Sequence, residues 1–406
     1  MNEQKNTLKF NHFFFLWFGA AVSVAEILTG GLLAPLGFKT GLLVIIIGHL
    51  LGTTLLVLGG IIGTQERLPA LVSTRISFGA YGSYLFSLLN ILQLVGWTAI
   101  MVMAAAKSSN ELTKAMWGFD AFSLWNIIIG ALVLLWIALG REGGWKKVNS
   151  VAVILLLGVT LVLSHVVFHD ASLFNIPPSG GMSFGEGVEL CVVMPLSWLP
   201  LIADYTRFAK NKKSAALGSW AGYFIGSCWM FIIGLGAAIV ADNAEPSAIM
   251  LSAGLGLSAL AIIVLATVTT TFMDAYSAGV SLSNIFPKIN ETHLALIITV
   301  IGTLLALALN MEQYEDFLMA IGSVFAPLFA ILFTDYFSLK NRNIEKDLLI
   351  NWTAIIVWVL GVVLYYQFLK LDLFVGATLP VMLLTACIYR LLSACAITFR
   401  YLKNQS

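Results

Sequence analysis

The chain is short of charge. Lys, Arg, Asp and Glu make up 11% of its 406 residues, against 59% hydrophobic. A water-soluble domain with that balance could not solvate its surface, so a soluble fold is excluded. Neither sign dominates: a net charge of +1 gives no bulk electrostatic reason to bind nucleic acid. There are only four cysteines, Cys191, Cys228, Cys387 and Cys395. All lie in apolar runs without metal-ligand spacing, which reads as packing. The residues offer no convincing nucleophile–base or metal set, so neither an enzyme nor a bound cofactor is expected. No stretch is long enough for a separate soluble domain. The polar opening MNEQKNTLKF leads into an apolar run with no small-residue cleavage site, and no removable leader is expected.

What the chain has instead is long apolar runs. A helix needs roughly 20 apolar residues to cross about 30 Å of hydrocarbon. Twelve such stretches are read, at about 13–36, 40–63, 82–106, 122–140, 148–168, 187–206, 216–240, 257–285, 293–310, 316–337, 349–369 and 374–396. With a cytoplasmic N-terminus, the outer loops keep only Lys39, Lys107, Lys114 and Lys370 of the 22 Lys and Arg residues. Cytoplasmic loops carry the cation excess, so both termini are expected inside. Trp117, Trp125, Trp145 and Trp352 fall near stretch ends, where aromatic belts form.

Two stretches are interrupted. The first contains Gly19, Glu26, Gly30, Gly31 and Pro35; the sixth contains Pro195, Ser197, Trp198, Pro200 and Asp204. Five stretches separate the start of one from the start of the other, so they open two successive five-helix units. Interrupted helices at matching places of two repeats are the sequence pointer to a carrier's substrate site near the bilayer midplane. Unwound backbone at that depth is tolerated only where it is buried or lines a cavity. A break near Ala20–Ala25 would free carbonyls for a cation and amides for an anion. The competing reading of Gly30 and Gly31 is close helix packing alone.

Glu26 is the sole charge between Lys9 and Lys39. Ionisable groups inside a span face the bundle interior or a pathway. A carboxylate there could accept two N–H bonds from an aminopyrimidine edge, trade a proton for a cation, or serve as a structural hydrogen-bond partner. The eighth stretch offers Thr267, Thr269, Thr270 and Thr271, then the acid Asp274. Hard cations take oxygen ligands, although threonine also bonds its own helix. In the third stretch Gln93 and Trp97 are four apart and share a helix face, where an indole stacks on a planar ring and an amide reads its edge. Arg75 is read in a loop between the second and third stretches, and Asp204 with Arg207 as a helix-end ion pair outside the site. His49 is read as a packed, hydrogen-bonded histidine or a participant in proton chemistry. Gly322 and Pro327 in the tenth stretch are read as a flexible gate or a packing kink.

Longer motifs carry a resemblance. Arg75-x-Ser77-Phe78-Gly79-x-x-Gly82 follows the second stretch and Gly96-Trp97 lies in the third; Ala203-Asp204-Tyr205-Thr206-Arg207-Phe208 follows the break of the sixth, and Thr334-Asp335-Tyr336-Phe337 ends the tenth. In that order they resemble the nucleobase–cation symporter family 1, which includes bacterial cytosine permeases and hydantoin carriers. Within it the chain most resembles the CytX group of hydroxymethylpyrimidine permeases. The resemblance covers essentially the whole chain. It implies an all-α, LeuT-type fold: two inverted five-helix repeats (about 12–168 and 186–337) with discontinuous helices one and six, plus two C-terminal helices (about 349–396), in a single transmembrane domain. It implies cation-coupled import of a heterocycle through the bacterial inner membrane, with Na+ or H+ as the coupling ion and no obligate protein partner.

The resemblance also implies a sodium site from the carbonyls of Gly19 and Val22 with Thr267, Thr270 and Thr271 opposite. It implies a substrate pocket at Ser23, Gln93, Trp97, Pro195, Ser197 and the Phe272–Asp274 segment, to which the residue reading adds Glu26. Two departures separate the chain from the cytosine permease pattern. That pattern has Asn-Asp-Asn where this chain has Phe272-Met273-Asp274, and no acid where Glu26 stands. An acid suits hydroxymethylpyrimidine, whose amino group and adjacent ring nitrogen form a donor–acceptor edge. Cytosine, a purine or a hydantoin is the alternative cargo.

Overall fold

A computed structural model describes residues 8–140, 145–169, 171–241, 257–308 and 313–403. The end of the ninth stretch and the side chains of Trp145 and Cys395 lie outside the described residues. The architecture is helical. The first stretch forms α1 (Phe10–Ala21) and α2 (Val24–Leu32), followed by α3 (Gly37–Glu66), the single turn α4 (Ala70–Ser73) and α5 (Arg75–Trp117). Then come α6 (Phe122–Gly140) and α7 (Trp145–Val167). The sixth stretch forms α8 (Phe184–Ser197) and α9 (Leu199–Thr206). The chain continues through α10 (Lys212–Ala241), α11 (Leu257–Ile285), α12 (Glu291–Ala306), α13 (Tyr314–Phe333), α14 (Trp352–Leu369) and α15 (Thr378–Lys403). Among the described residues, eight helical spans are long and apolar enough to cross a membrane, and two shorter helices are apolar.

Polarity is arranged for lipid. Leu92, Leu304, Ile356 and Leu391 are exposed, while Ser23, Asn90, Gln93 and the four threonines of α11 are buried. Trp117 and Trp352, at helix ends, are exposed. Five acids (Glu26, Glu189, Asp204, Asp274 and Asp335) are each at most 3% exposed, and no lysine or arginine among the described residues is buried. Buried carboxylates without buried cations must be satisfied by neutral donors or by something that arrives.

The interrupted helices sit inside. Helices α1 and α2 pack on α10, α3 packs on α8, α9 and α10, and α5 packs on α11 and α12. Close approach is enforced by glycine: a Cβ at Gly234 of α10 would lie 1.9 Å from the Ile27 carbonyl oxygen of α2. Interhelical contact in a membrane comes from this kind of backbone proximity and from polar bonds, because lipid is as apolar as leucine.

Arg75 lies, as read, between the second and third spans, in a single helical turn ahead of Gly79, and its Nη2 donates to the carbonyl (3.0 Å) and Oδ1 (2.5 Å) of Asn284 on α11. Gly79, whose φ of 77° suits only glycine, divides that turn from the long run of α5, and the Ala80 and Tyr81 amides bond the Leu348 and Leu349 carbonyls (3.0 and 2.9 Å). One sequence expectation is corrected: Asp204 and Arg207 do not form an ion pair. Arg207 Nε donates to the Asp204 backbone carbonyl (3.1 Å), while Asp204 Oδ1 accepts the Ala70 amide of α4 (3.0 Å). The helix end gives the acid a neutral donor and the guanidinium a backbone acceptor. For α13, packing accounts for Gly322: a Cβ there would lie 2.2 Å from the Tyr365 hydroxyl of α14. Beyond α5, Asp120 accepts from Asn110 (2.8 Å) and Lys114 (2.6 Å), which hold its carboxyl below the usual range.

Candidate functional site

The first interruption is short and sharp. Helix α1 ends at Ala21, and Val22 (φ −81°, ψ 83°) and Ser23 (φ −139°, ψ 160°) are non-helical. The Ser23 amide bonds the Ala21 carbonyl at 3.0 Å. In an unbroken helix it would bond Gly19, so the Gly19 carbonyl is released. Ser23 then caps α2, its Oγ accepting the Glu26 amide at 3.4 Å. Ser23-x-x-Glu26 is the Ser-x-x-Glu pattern of a helix N-terminus. It was a local sign of where the helix restarts.

Opposite the break stands α11, packed against α1. Its four threonines divide. Thr269 donates back to the Leu265 and Ala266 carbonyls of its own helix, at 2.9 and 3.0 Å. The hydroxyls of Thr267, Thr270 and Thr271 are buried and have no hydrogen-bond partner. Threonine in a helix ordinarily back-bonds, so three adjacent failures to do so need a reason. A hard cation held by these oxygens and the released carbonyls supplies one. The three are the threonines expected as ligands, and the one that is satisfied is the one left out.

The second interruption differs. Between α8 and α9 only Trp198 intervenes, still in the right-handed region (φ −86°, ψ −9°). Pro195 and Pro200 remove amides, and the Leu201 amide shifts to the Trp198 carbonyl (3.0 Å). That leaves the Ser197 carbonyl, which accepts Gln93 Nε2 of α5 at 2.6 Å. The Ser197 hydroxyl bonds Met194 O (2.7 Å). The Pro195 ring is packed against Gly52 of α3, so Pro195 acts on the break through its missing N–H.

Gln93 thereby ties α5 to the second break, and its Oε1 is buried without a partner. Trp97, one turn on, is buried edge-on to Tyr314 (6.1 Å) and Phe317 (5.4 Å) of α13. The Tyr314 hydroxyl lies 2.8 Å from Thr29 Oγ1 of α2. Trp17 of α1 meets Trp198, Tyr205 and Tyr223 edge-on at 5.8 to 6.1 Å. Phe272 stacks on Tyr276, the Met273 carbonyl accepts the Tyr205 hydroxyl at 3.1 Å, and Asp274 is buried beside them on α11. The expected pocket residues are thus distributed over the start of α2 and over α5, α8 and α11; α2, α5 and α11 pack on one another, and Gln93 ties α5 to the end of α8.

Glu26 is the exception in its bonding. Its Oε1 accepts the Tyr223 hydroxyl (2.8 Å) and its Oε2 lies 2.5 Å from Ser227 Oγ, both on α10. Ser227 in turn lies 2.6 Å from Nε2 of His49 on α3. Both oxygens are committed to neighbouring helices. Tyr223 and Ser227 went unread in the sequence, although they are four apart on one helix face. Trp198 was seen only as part of a break. Glu189 was passed over as well, although the rule that found Glu26 applies equally to it. It accepts Tyr365 Oη (2.5 Å), the Ala377 and Thr378 amides (2.7 and 2.9 Å) and Thr378 Oγ1 (2.6 Å).

Comparison with known proteins agrees with this geometry. The family model for permeases of cytosine/purines, uracil, thiamine and allantoin matches residues 1–391. Cytosine permease of Escherichia coli (strain K12) is 29% identical over 296 residues, covering 71% of this chain and 69% of that protein. Hydantoin permease of Microbacterium maritypicum is 24% identical over 353 residues, covering 77% and 71%. Among solved structures, Mhp1, a nucleobase-cation-symport-1 family transporter in a closed conformation with bromovinylhydantoin bound, superposes with a TM-score of 0.82 at 19% identity, covering 96% of this chain and 93% of that one. A Na+-coupled sialic acid symporter in a substrate-bound outward-open state gives 0.69 at 13% identity, covering 95% and 90%. At these identities the structural likeness shows the fold.

Proposed function

The chain belongs to the family of permeases for cytosine/purines, uracil, thiamine and allantoin, and on that premise we propose that it is a cation-coupled importer of an aminopyrimidine, hydroxymethylpyrimidine first among them. It is a multi-pass membrane transporter whose relatives are permeases, not enzymes. The proposal places it in the bacterial inner membrane with twelve spans forming one domain, two inverted five-helix repeats plus a C-terminal pair, and both termini in the cytoplasm.

The observation that carries the coupling is the set of orphaned hydroxyls on Thr267, Thr270 and Thr271. With the carbonyls of Gly19 and Val22 they would form an all-oxygen site that suits sodium. A cation there would hold the extended Val22–Ser23 backbone in the shape that seats substrate. Reciprocity then requires substrate to tighten the cation by the same factor. Two discontinuous helices around one central site are built for alternating access rather than for an open pore.

Cargo chemistry follows from Gln93. One N–H of its amide is used on Ser197, while the acceptor Oε1 is buried without a partner. A ligand that reaches it must donate an N–H, as an exocyclic amine does. Trp97 supplies a flat apolar face beside it, and Ser23, Ser197, Phe272 and Asp274 complete the pocket, with Glu26 behind Ser23. An isolated uracil-type carbonyl would meet Gln93 Oε1 lone pair to lone pair.

The test is uptake of radiolabelled hydroxymethylpyrimidine into proteoliposomes, with and without an inward sodium gradient and with unlabelled cytosine as competitor. Gradient-driven uptake that resists cytosine supports the proposal. Uptake of cytosine alone keeps the transport mechanism and overturns the cargo; uptake indifferent to any cation gradient overturns the coupling.

A further inference from the structure

The two Ser-x-x-Glu pairs that stand at helix starts use their glutamates differently. Ser183-x-x-Glu186 at the start of α8 closes a full capping box: Ser183 Oγ accepts the Glu186 amide (3.1 Å), and Glu186 Oε2 accepts the Ser183 amide (2.8 Å). At the start of α2, Ser23 plays the same part, but its amide goes to Ala21 and the Glu26 carboxyl turns away to α10. What it joins there can be counted in hydrogens.

Nδ1 of His49 lies 2.9 Å from the Ile45 carbonyl oxygen. A carbonyl carries no hydrogen, so Nδ1 carries one. The contacts His49 Nε2 to Ser227 Oγ (2.6 Å) and Ser227 Oγ to Glu26 Oε2 (2.5 Å) each require a hydrogen between the two atoms. Serine supplies one. Tyr223 spends its own on Glu26 Oε1 and has none to give. With a neutral imidazole and an ionised carboxyl, one of the two contacts would bring lone pairs together at hydrogen-bond distance. The chain as packed therefore contains one hydrogen more, either on Glu26 or on Nε2 of His49.

We propose that Glu26, Ser227 and His49 form a proton-binding site, separate from the cation site at the first break, and that the proton bound there moves with the substrate. This rests on the transport function proposed above. The proton arrives from water, sits on Glu26 or His49 while α2, α3 and α10 are packed together, and returns to water when they part. Its loss leaves an unbridged contact, and the helices have no slack to relieve it: α2 touches α10 through backbone at Gly234, and a Cβ at Gly30 would lie 2.3 Å from the Phe231 carbonyl oxygen. Proton occupancy and the position of α2 are thus linked, and α2 carries Ser23 toward the pocket.

The other titratable groups close enough to feel the Glu26 charge are neutral ones: the thiols of Cys191 (α8) and Cys228 (α10) and the phenols of Tyr223 (α10) and Tyr314 (α13). Helices α5 and α11 also pack on α2, and among the described residues neither they nor any other element pairs a lysine or arginine with Glu26.

Infrared pH-difference spectra of the purified full-length protein test the site without a substrate. The expected result is a protonated-carboxyl C=O band that bleaches as pH rises and is absent in Glu26→Gln. Glu26→Gln imitates the loaded site, since its amide N–H can face Ser227 Oγ. In proteoliposomes it should lose substrate-driven proton entry, read by an entrapped pH dye, at least about tenfold more than it loses exchange of labelled hydroxymethylpyrimidine or cytosine. If Glu26→Gln does not fold, Ser227→Ala serves instead, and the band's midpoint should move by about one pH unit. Identical spectra in wild type and variant overturn the site. A Glu26 band with substrate entry that moves no protons overturns the coupling. If the wild type carries neither probe, the transport proposal fails, while the spectra still decide the proton site.

Discussion

The two broken helices of this chain are made from different materials. The first is broken by extended backbone at Val22 and Ser23, with no proline in the gap. The second stays right-handed at Trp198 and is broken by prolines that delete amides on either side. The consequence lies in the spare acceptors. At the second break the released Ser197 carbonyl is taken by Gln93. At the first, the broken helix packs on α11, three of whose threonine hydroxyls are themselves unpartnered. One break is satisfied by the protein, and the other is the one that the proposed cation would complete. Their flanks differ too: α2 is held to α10 by glycine-enabled backbone contact, whereas α8 is held to α14 and α15 by the four bonds that Glu189 accepts.

The sharpest way to break this contrast is Glu189→Ala. An interhelical bond in a membrane is worth about 0.6 kcal/mol on average, up to about 1.7. Losing four and stranding their donors should cost about 2–4 kcal/mol. Unfolding monitored in detergent would show it; an unchanged transition would mean that α8 is held by something else. Next is the double variant Thr270→Ala with Thr271→Ala, expected to reduce sodium stimulation of uptake by about tenfold or more. Intact stimulation would remove those hydroxyls from the ion site. Gln93→Leu strands the Ser197 carbonyl and deletes the ligand acceptor. Substrate KM should rise by about five- to tenfold with sodium dependence retained, and a loss of sodium dependence instead would merge the roles of the two breaks. The smallest effect belongs to Thr269→Val. That hydroxyl bonds its own helix, so stability should change by no more than about 0.5 kcal/mol and uptake not at all; a transport defect there would undo the division among the four threonines.

The same residues show how far the chain could be read before its fold was known. Both interruptions were legible, because glycine and proline in an apolar run have local meaning. Ser23-x-x-Glu26 would have placed the restart of the first helix to the residue, had the capping pattern been sought inside a membrane span. The pairing of Asp204 with Arg207 was a reasonable inference from spacing, and it was wrong. Spacing assumed that a helix face persists to the helix end, and there Asp204 turned to the Ala70 amide instead. Arg75 was read between two spans, and the non-helical Gly79 leaves it there, in a single turn ahead of the long helix.

Runs of apolar residues, their punctuation and the clustering of hydroxyls are properties of neighbours along the chain. From them came the membrane helices, the two breaks and the threonine cluster. Which acceptor a buried donor finds is a different kind of fact. Glu26 meets residues 197 and 201 positions away, Glu189 residues 176 to 189 away, and Gln93 a carbonyl 104 away. Hydrogen bonds discriminate over tenths of an ångström, and distances that fine between remote helices exist only once the helices have packed.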